Sequence, residues 1–150
     1  MKLSTKGRYG LRALIDLALY SENETVSIQS IARRQNISDS YLEQLMRKLR
    51  SAGLIVSGRG AQGGYKLARP ANEISVGDVL RALEGSLEAV TCGGEDNSCQ
   101  GADLCVTKFV WERINSSIRD TVDSIKLSQL VEESRLMREK GQIQVQKCDN

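Results

Sequence analysis

The sequence contains no histidine. That removes imidazole acid–base chemistry, Ser-His and Cys-His nucleophile pairs, and every metal site built on a histidine ligand. Proline occurs once in 150 residues, which speaks against linkers and low-complexity stretches. No run of about 18 apolar residues is present, so no membrane span is expected. The N-terminal MKLSTKGRYG lacks the apolar stretch of a secretory signal, and a cytoplasmic location is expected. No nucleophile–base pair and no phosphate-binding glycine motif occurs, so no enzyme is expected. Cysteine is scarce, at four residues. In a cytosolic chain that points to metal binding or redox chemistry rather than disulfide staples.

Hydrophobic residues make up 40% of the chain, enough for one real core or two small ones. The net charge of +2 hides a division. Residues 1–70 hold twelve Lys/Arg against five Asp/Glu, and residues 71–150 hold nine against fourteen. A basic first half beside an acidic second half points to an anionic partner for the first half alone.

A helix is expected over about residues 5–21, with Leu11, Leu14, Ile15, Ala18 and Leu19 on one apolar face. Lys2, Lys6, Arg8 and Arg12 crowd its start, where positive charge opposes the macrodipole. That placement points to an outside anion, a solvated face being the alternative. Ser27 is a good N-cap for a short second helix buried through Ile28, Ile31 and Ala32. Gln35-Asn36-Ile37-Ser38 reads as a tight turn, with Ser38 capping a third helix and Ile37 and Leu42 placed as a hydrophobic staple. Leu42, Leu45, Met46 and Leu49 form the inner face of that helix, and Gly53 ends it. Leu54 to Val56 and Tyr65 to Leu67 read as strands joined by a hairpin containing Gly58, Gly60, Gly63 and Gly64. Helix, helix, turn, helix, hairpin is the order of a winged helix-turn-helix.

Pro70 marks a boundary. Ser75 and Asp78 form a capping-box variant opening a fourth helix, with Val76, Val79, Leu80 and Leu83 facing inward and Gly85 closing it. Residues 86–104 read as a polar loop holding Cys92 and Cys99, with Cys105 at its far edge. A long helix over about 105–124 carries Phe109, Val110, Ile114, Ile118, Val122 and Ile125 at three-to-four-residue spacing. A stripe this far from the winged-helix core needs a partner surface, most simply the same helix of a second copy, so a homodimer is expected. A sixth helix follows over about 128–140. The fold class expected is therefore mainly α with a small β-hairpin, a winged helix-turn-helix plus a long dimerisation helix. The expected units are a winged helix-turn-helix DNA-binding domain at 1–70, the cysteine loop and dimerisation helices at 71–140, and a disordered tail at 141–150.

Double-stranded DNA is the partner that the basic half fits. On the third helix Ser40, Glu43, Gln44, Arg47 and Ser51 cluster opposite the leucine stripe. Gln bonds adenine bidentately, Arg bonds guanine and Ser bonds either. Glu43 is repelled by phosphates, so it must accept from a cytosine amino group or act against wrong sites. A solvated polar face is the alternative. Arg59 lies between two glycines at the hairpin tip, where a lone Arg suits a narrow, electronegative minor groove. Lys2, Lys6, Arg8 and Tyr9 are candidate phosphate contacts, adding affinity and salt dependence without sequence information.

The cysteine spacing is Cys92-x6-Cys99-x5-Cys105. It matches neither the paired C-x2-C of common zinc sites nor the bacterial ferredoxin run. Three thiols among Gly93, Gly94 and Gly101 can wrap a cluster or a metal; free surface thiols are the alternative, an oxidation liability without a use. Cys148 reads as incidental.

Taken together, MKLSTKGRYG, SYLEQLMRKLRSAGLI, the RGAQGGYKLAR wing and the three-cysteine loop resemble the bacterial iron–sulfur cluster regulator family, IscR, over about residues 1–135. The resemblance implies a homodimeric winged-helix transcription factor that binds a [2Fe–2S] cluster and controls iron–sulfur assembly genes. It implies that Cys92, Cys99 and Cys105 are the thiolate ligands, which makes their loop a cluster-binding loop. It also implies that Ser40, Glu43 and Gln44 read DNA and that Arg59 enters the minor groove. The glutamate matching Glu43 is associated in the family with discrimination between two classes of site according to cluster state. One departure stands out. The family places a histidine, its fourth ligand, three residues after the third cysteine, and here that position is Lys108. A lysine must lose a proton before it can donate. The fourth ligand stays open among Asp103, Asp96, Glu95, Cys148, an external thiol and a residue of a second copy. Nitric-oxide-sensing relatives carry a similar loop, so a nitric oxide or thiol-redox sensor on this scaffold is an alternative. An iron–sulfur electron-transfer or carrier protein is an alternative of another class, opposed by the basic reading helix.

Overall fold

The computed structural model of the chain describes residues 3–59, 63–91 and 104–141. Lys2, Gly60, Cys92, Glu95, Asp96, Cys99, Asp103 and the tail with Cys148 lie outside the described residues. The helices are α1 (Thr5–Tyr20), α2 (Ile28–Gln35), α3 (Asp39–Ser51), α4 (Val76–Glu84), α5 (Val106–Ser124) and α6 (Leu127–Glu139). Strands β1 (Ile55–Ser57) and β2 (Tyr65–Leu67) form an antiparallel hairpin in which Ile55 faces Leu67 and Ser57 faces Tyr65. A 3-10 turn, Ala71–Glu73, follows Pro70.

Local chemistry sets most helix starts. The side chains of Ser4, Ser27, Ser38 and Ser75 accept from the backbone N–H of Lys6, Ser30, Tyr41 and Asp78, satisfying donors that a helix leaves orphaned. At α4 the Asp78 carboxylate returns a bond to the Ser75 N–H, completing the expected box. Asn36 ends α2 at φ 53°, a left-handed conformation that asparagine tolerates, and so turns the chain into α3.

One hydrophobic cluster joins α1, α2, α3 and β1 to Ile74, Val79, Leu83, Leu127 and Val131 from beyond Pro70. A smaller cluster of Val76, Leu80 and Leu87 receives Leu11, Ile118, Val122, Ile125 and Leu130. The α5 stripe is therefore split. Its lower part, Ile118 to Ile125, is partly buried against Val76, Leu80 and Leu87 of its own chain, whereas Phe109, Val110 and Ile114 are exposed. A stripe of constant composition gave no sign of where the chain's own cover stops.

The buried face of α1 also differs from the expected one. Gly7, Gly10, Ala13, Leu14, Leu17 and Ala18 are buried, while Leu11, Ile15 and Leu19 are only partly so. The two glycines let α4 approach closely: a Cβ at position 10 would stand 2.2 Å from Leu83 Cδ1. Asp16, 1% exposed, is held by Arg34 at 2.7 Å and by the Gln35 amide at 2.8 Å. Burial of this carboxylate is affordable only because it is paired.

Glu84, the last residue of α4, bridges to the start of α1. One oxygen accepts from Ser4 Oγ (2.6 Å), Gly7 N (2.8 Å) and Ser4 N (2.9 Å). Burial alone would raise this carboxyl, but those bonds and the charge of Lys6 outweigh it and hold it below its ordinary value of 4.5. A depressed carboxyl stabilises the fold fully above 4.5 and loses that contribution as pH falls through the lowered value. Glu84→Gln is thus expected to lower the urea midpoint at pH 7 and to converge with wild type in acid. A deficit of equal size at pH 7 and pH 3 would contradict the assignment.

Candidate nucleic-acid interface and cysteine arm

Ser40, Glu43, Gln44 and Arg47 are all exposed along one side of α3, opposite the buried Leu42, Leu45, Met46 and Leu49. The start of α1 adjoins them. The Tyr41 hydroxyl donates to Thr5 Oγ1 at 3.2 Å, and the Tyr9 ring meets the Tyr41 ring edge-on with centroids 6.1 Å apart. These contacts tie the first turn of α1, where Lys6 and Arg8 are exposed, to the first turn of α3. Tyr9 is partly buried and packs on the core, which leaves it a supporting surface as well as a polar tip. Arg12, grouped by sequence with the outward basic residues, instead turns to the end of α2. It donates to the Gln35 side chain and carbonyl, both at 3.2 Å, and its guanidinium lies 5.3 Å from the centre of the Tyr9 ring. Arg59 is exposed just past β1.

The cysteine side is organised by α5. Cys105 is exposed at the N-cap of that helix. The Thr107 hydroxyl, 3.0 Å from Sγ, holds the thiol below its ordinary value, aided by the backbone N–H groups of Lys108 and Thr107. Lys108 lies 3.8 Å from Glu112 one turn along. Ten residues past Cys105, the Asn115 side chain accepts from Ala89 N at 2.8 Å and donates to Val90 O at 2.9 Å. It thereby fastens the backbone leading toward position 92 onto α5. Trp111 lies beside Asn115 in a cleft shared with Glu88, Val90 and Arg119. Sequence reading missed Asn115; its one signal is a poor helix former in a helix interior. Among the described residues no three His, Cys, Asp or Glu side chains converge as a metal site. Exposed Cys105 supplies one thiolate donor of the kind a cluster takes, and the other two candidate donors lie outside the described residues.

A short helix, a tight turn, an exposed polar reading helix and a hairpin define the winged helix-turn-helix class of DNA-binding regulators. The profile of the Rrf2 family, described as an iron-dependent transcriptional regulator, matches residues 3–133. The chain belongs to this family. The HTH-type transcriptional regulator IscR of Pectobacterium atrosepticum is 44% identical over 137 residues, spanning 91% of this chain and 83% of that protein. Among solved structures, T. potens IscR superposes with a TM-score of 0.72 at 44% identity, covering 96% of this chain and 93% of the other. CymR, the global cysteine regulator of B. subtilis, superposes with a TM-score of 0.73 at 39% identity, covering 89% and 98%. The chain is a transcriptional regulator of the Rrf2/IscR type and not an enzyme. Regulators of this family bind DNA. No helix among the described residues is long and apolar enough to cross a membrane.

Proposed function

We propose that this chain is a cytoplasmic, homodimeric DNA-binding regulator that senses a [2Fe–2S] cluster and controls iron–sulfur assembly genes. In this reading residues 1–70 carry the DNA-binding unit and residues 71–140 the cluster-binding loop and dimer helices. Cys92, Cys99 and Cys105 hold the cluster, which supplies the sensitivity to iron and oxidants. The observation that carries the reading is the cysteine triplet Cys92, Cys99 and Cys105, its last member exposed at the N-cap of α5. The IscR relatives at 42–44% identity support it. The signal has a short route to DNA. Asn115 fastens residues 89–90 to α5, and four residues, 85–88, connect them to the last turn of α4. That turn is bonded to α1 through Glu84 and to α3 through the Leu83 carbonyl, which accepts from Lys48 at 3.4 Å. A shift in the loop's population of states would bias both DNA-facing helices.

A thiol-based sensor on the same scaffold is the second reading. Lys108 in place of the family histidine favours it. Both readings share the DNA face: Ser40, Glu43, Gln44 and Arg47 to base edges, Arg59 to the minor groove, and Lys6, Arg8 and Tyr9 to phosphates.

The face is tested by Gln44→Ala and Arg59→Ala, with duplex affinity measured across a salt series. Gln44→Ala is expected to cost about 1–3 kcal/mol, as for one bidentate base contact. Arg59→Ala should weaken binding to sites with a narrow minor groove most. Both proteins should melt like wild type, since each side chain is exposed. Unchanged affinity in both variants would contradict the assignment.

A further inference from the structure

The wing has a buttress outside the helix-turn-helix. Between α1 and α2 the chain runs extended past β2, where Val26 N donates to Tyr65 O at 2.9 Å and Tyr65 N to Val26 O at 2.8 Å. Val26, 8% exposed, does the core packing there. Its neighbour Thr25 does something else. The Thr25 hydroxyl donates to the Gly63 carbonyl at 3.1 Å. Its methyl occupies the space beside Gly58: a Cβ at position 58 would lie 2.2 Å from Thr25 Cγ2, 3.1 Å from its Cβ and 3.2 Å from its Oγ1. A Cβ at Gly64 would lie 3.2 Å from Thr25 Cβ and 2.8 Å from the Val26 carbonyl oxygen. Gly58 N donates to Gly64 O at 2.8 Å, closing the hairpin at the same level.

The two glycines differ in what requires them. Gly64 has φ 120°, which L side chains rarely adopt. Gly58 is not among the positive-φ glycines, so it is the space filled by Thr25, and not the backbone, that demands glycine there. The Thr25 side chain therefore lies against both wing strands where they leave the sheet, one residue before Arg59.

We propose that Thr25 is a positioning residue for DNA binding, fixing the direction in which the wing presents Arg59. The inference rests on the reading of Arg59 as a DNA contact. A side chain that must enter a narrow groove binds better when its backbone is already aimed, because less ordering remains to be done on binding.

The experiment is a double-mutant cycle read as affinity for a duplex selected by the wild-type protein from random sequence. Thr25→Ala is expected to weaken binding by roughly three- to tenfold, the worth of one hydrogen bond. In an Arg59→Ala background the same change should have no further effect, because Thr25 acts through Arg59. Thr25→Val, which keeps the shape and loses the hydroxyl, should repeat the result if the alanine variant folds poorly. Gly58→Ala should weaken binding, and adding Thr25→Ser should restore most of it, since serine lacks the obstructing methyl but keeps the bond to Gly63. Urea midpoints of the Thr25 variants should shift equally with and without Arg59, whereas the loss of affinity should appear only with Arg59 present, a difference that a merely structural role would not produce. Equal losses from Thr25→Ala with and without Arg59 would overturn the proposal while leaving the Arg59 reading intact. No loss from Arg59→Ala alone would overturn the Arg59 reading, and the proposal with it.

Discussion

Alanine at Cys92, Cys99 or Cys105 is expected to leave a protein that retains no iron after anaerobic reconstitution, whereas Lys108→Ala retains it. The family position of a fourth ligand is occupied here by an ammonium, which offers no lone pair until it loses a proton. Lys108 lies 3.8 Å from Glu112, an arrangement of ordinary helical ion pairs, and nothing in that geometry draws it into a ligand role. Its expected part is to offset the negative charge of the thiolates, so Lys108→Ala should hold iron less durably. Lys108→His places an imidazole at the family position and should slow iron loss to a chelator. Iron per chain in the three cysteine variants, Lys108→Ala and Lys108→His decides the matter. Equal, near-complete loss in Lys108→Ala and Cys105→Ala would show that the lysine coordinates.

The second large effect concerns association. Phe109→Glu and Ile114→Glu are expected to convert a dimer to folded monomers. Phe109 is 65% exposed in the single chain, so a carboxylate there disturbs the subunit little, and Ile114, 38% exposed, bears a larger cost to its own fold. Between two copies the same carboxylates would be stripped of water without a partner. Covering a large apolar side chain stabilises by about 1.5–3 kcal/mol, and a two-fold axis counts every change twice. Ile118→Glu should behave differently, because Ile118 packs against Val76, Leu80 and Leu87 of its own chain and the substitution attacks the fold. Light scattering with parallel urea melts separates the cases. A wild-type dimer in Phe109→Glu would place the interface elsewhere.

What sequence alone revealed follows from the range of the interactions involved. Ser27, Ser38 and Ser75 bond within three residues, so their caps could be read directly. The exposed polar face of α3 was legible because Leu42, Leu45, Met46 and Leu49 fix one side of the helix and leave the other to solvent. All five expected α1 residues lie in the core or pack against it, but the extension of that face to Gly7 and Gly10 is not legible, because glycine carries no hydrophobicity to count. Their role appears only when Leu83 and Glu84 are placed against them. Arg12 was grouped with outward cations because its partner, Gln35, is 23 residues away. Asp16 pairs across 18 residues, Asn115 across 25 and Glu84 across 80, and no local pattern encodes such meetings. The cysteine triplet stands out in the sequence by residue type and spacing. The Asn115 fastening that ties its approach to α5 was not.

The central claim, that the cysteine loop makes this regulator an iron–sulfur sensor, is tested most directly by the absorption spectrum of protein purified without oxygen. The account predicts a brown protein with visible thiolate–iron bands and about two iron and two sulfide per chain. A colourless protein, with stoichiometric zinc or with no metal and all four thiols titratable, would contradict it.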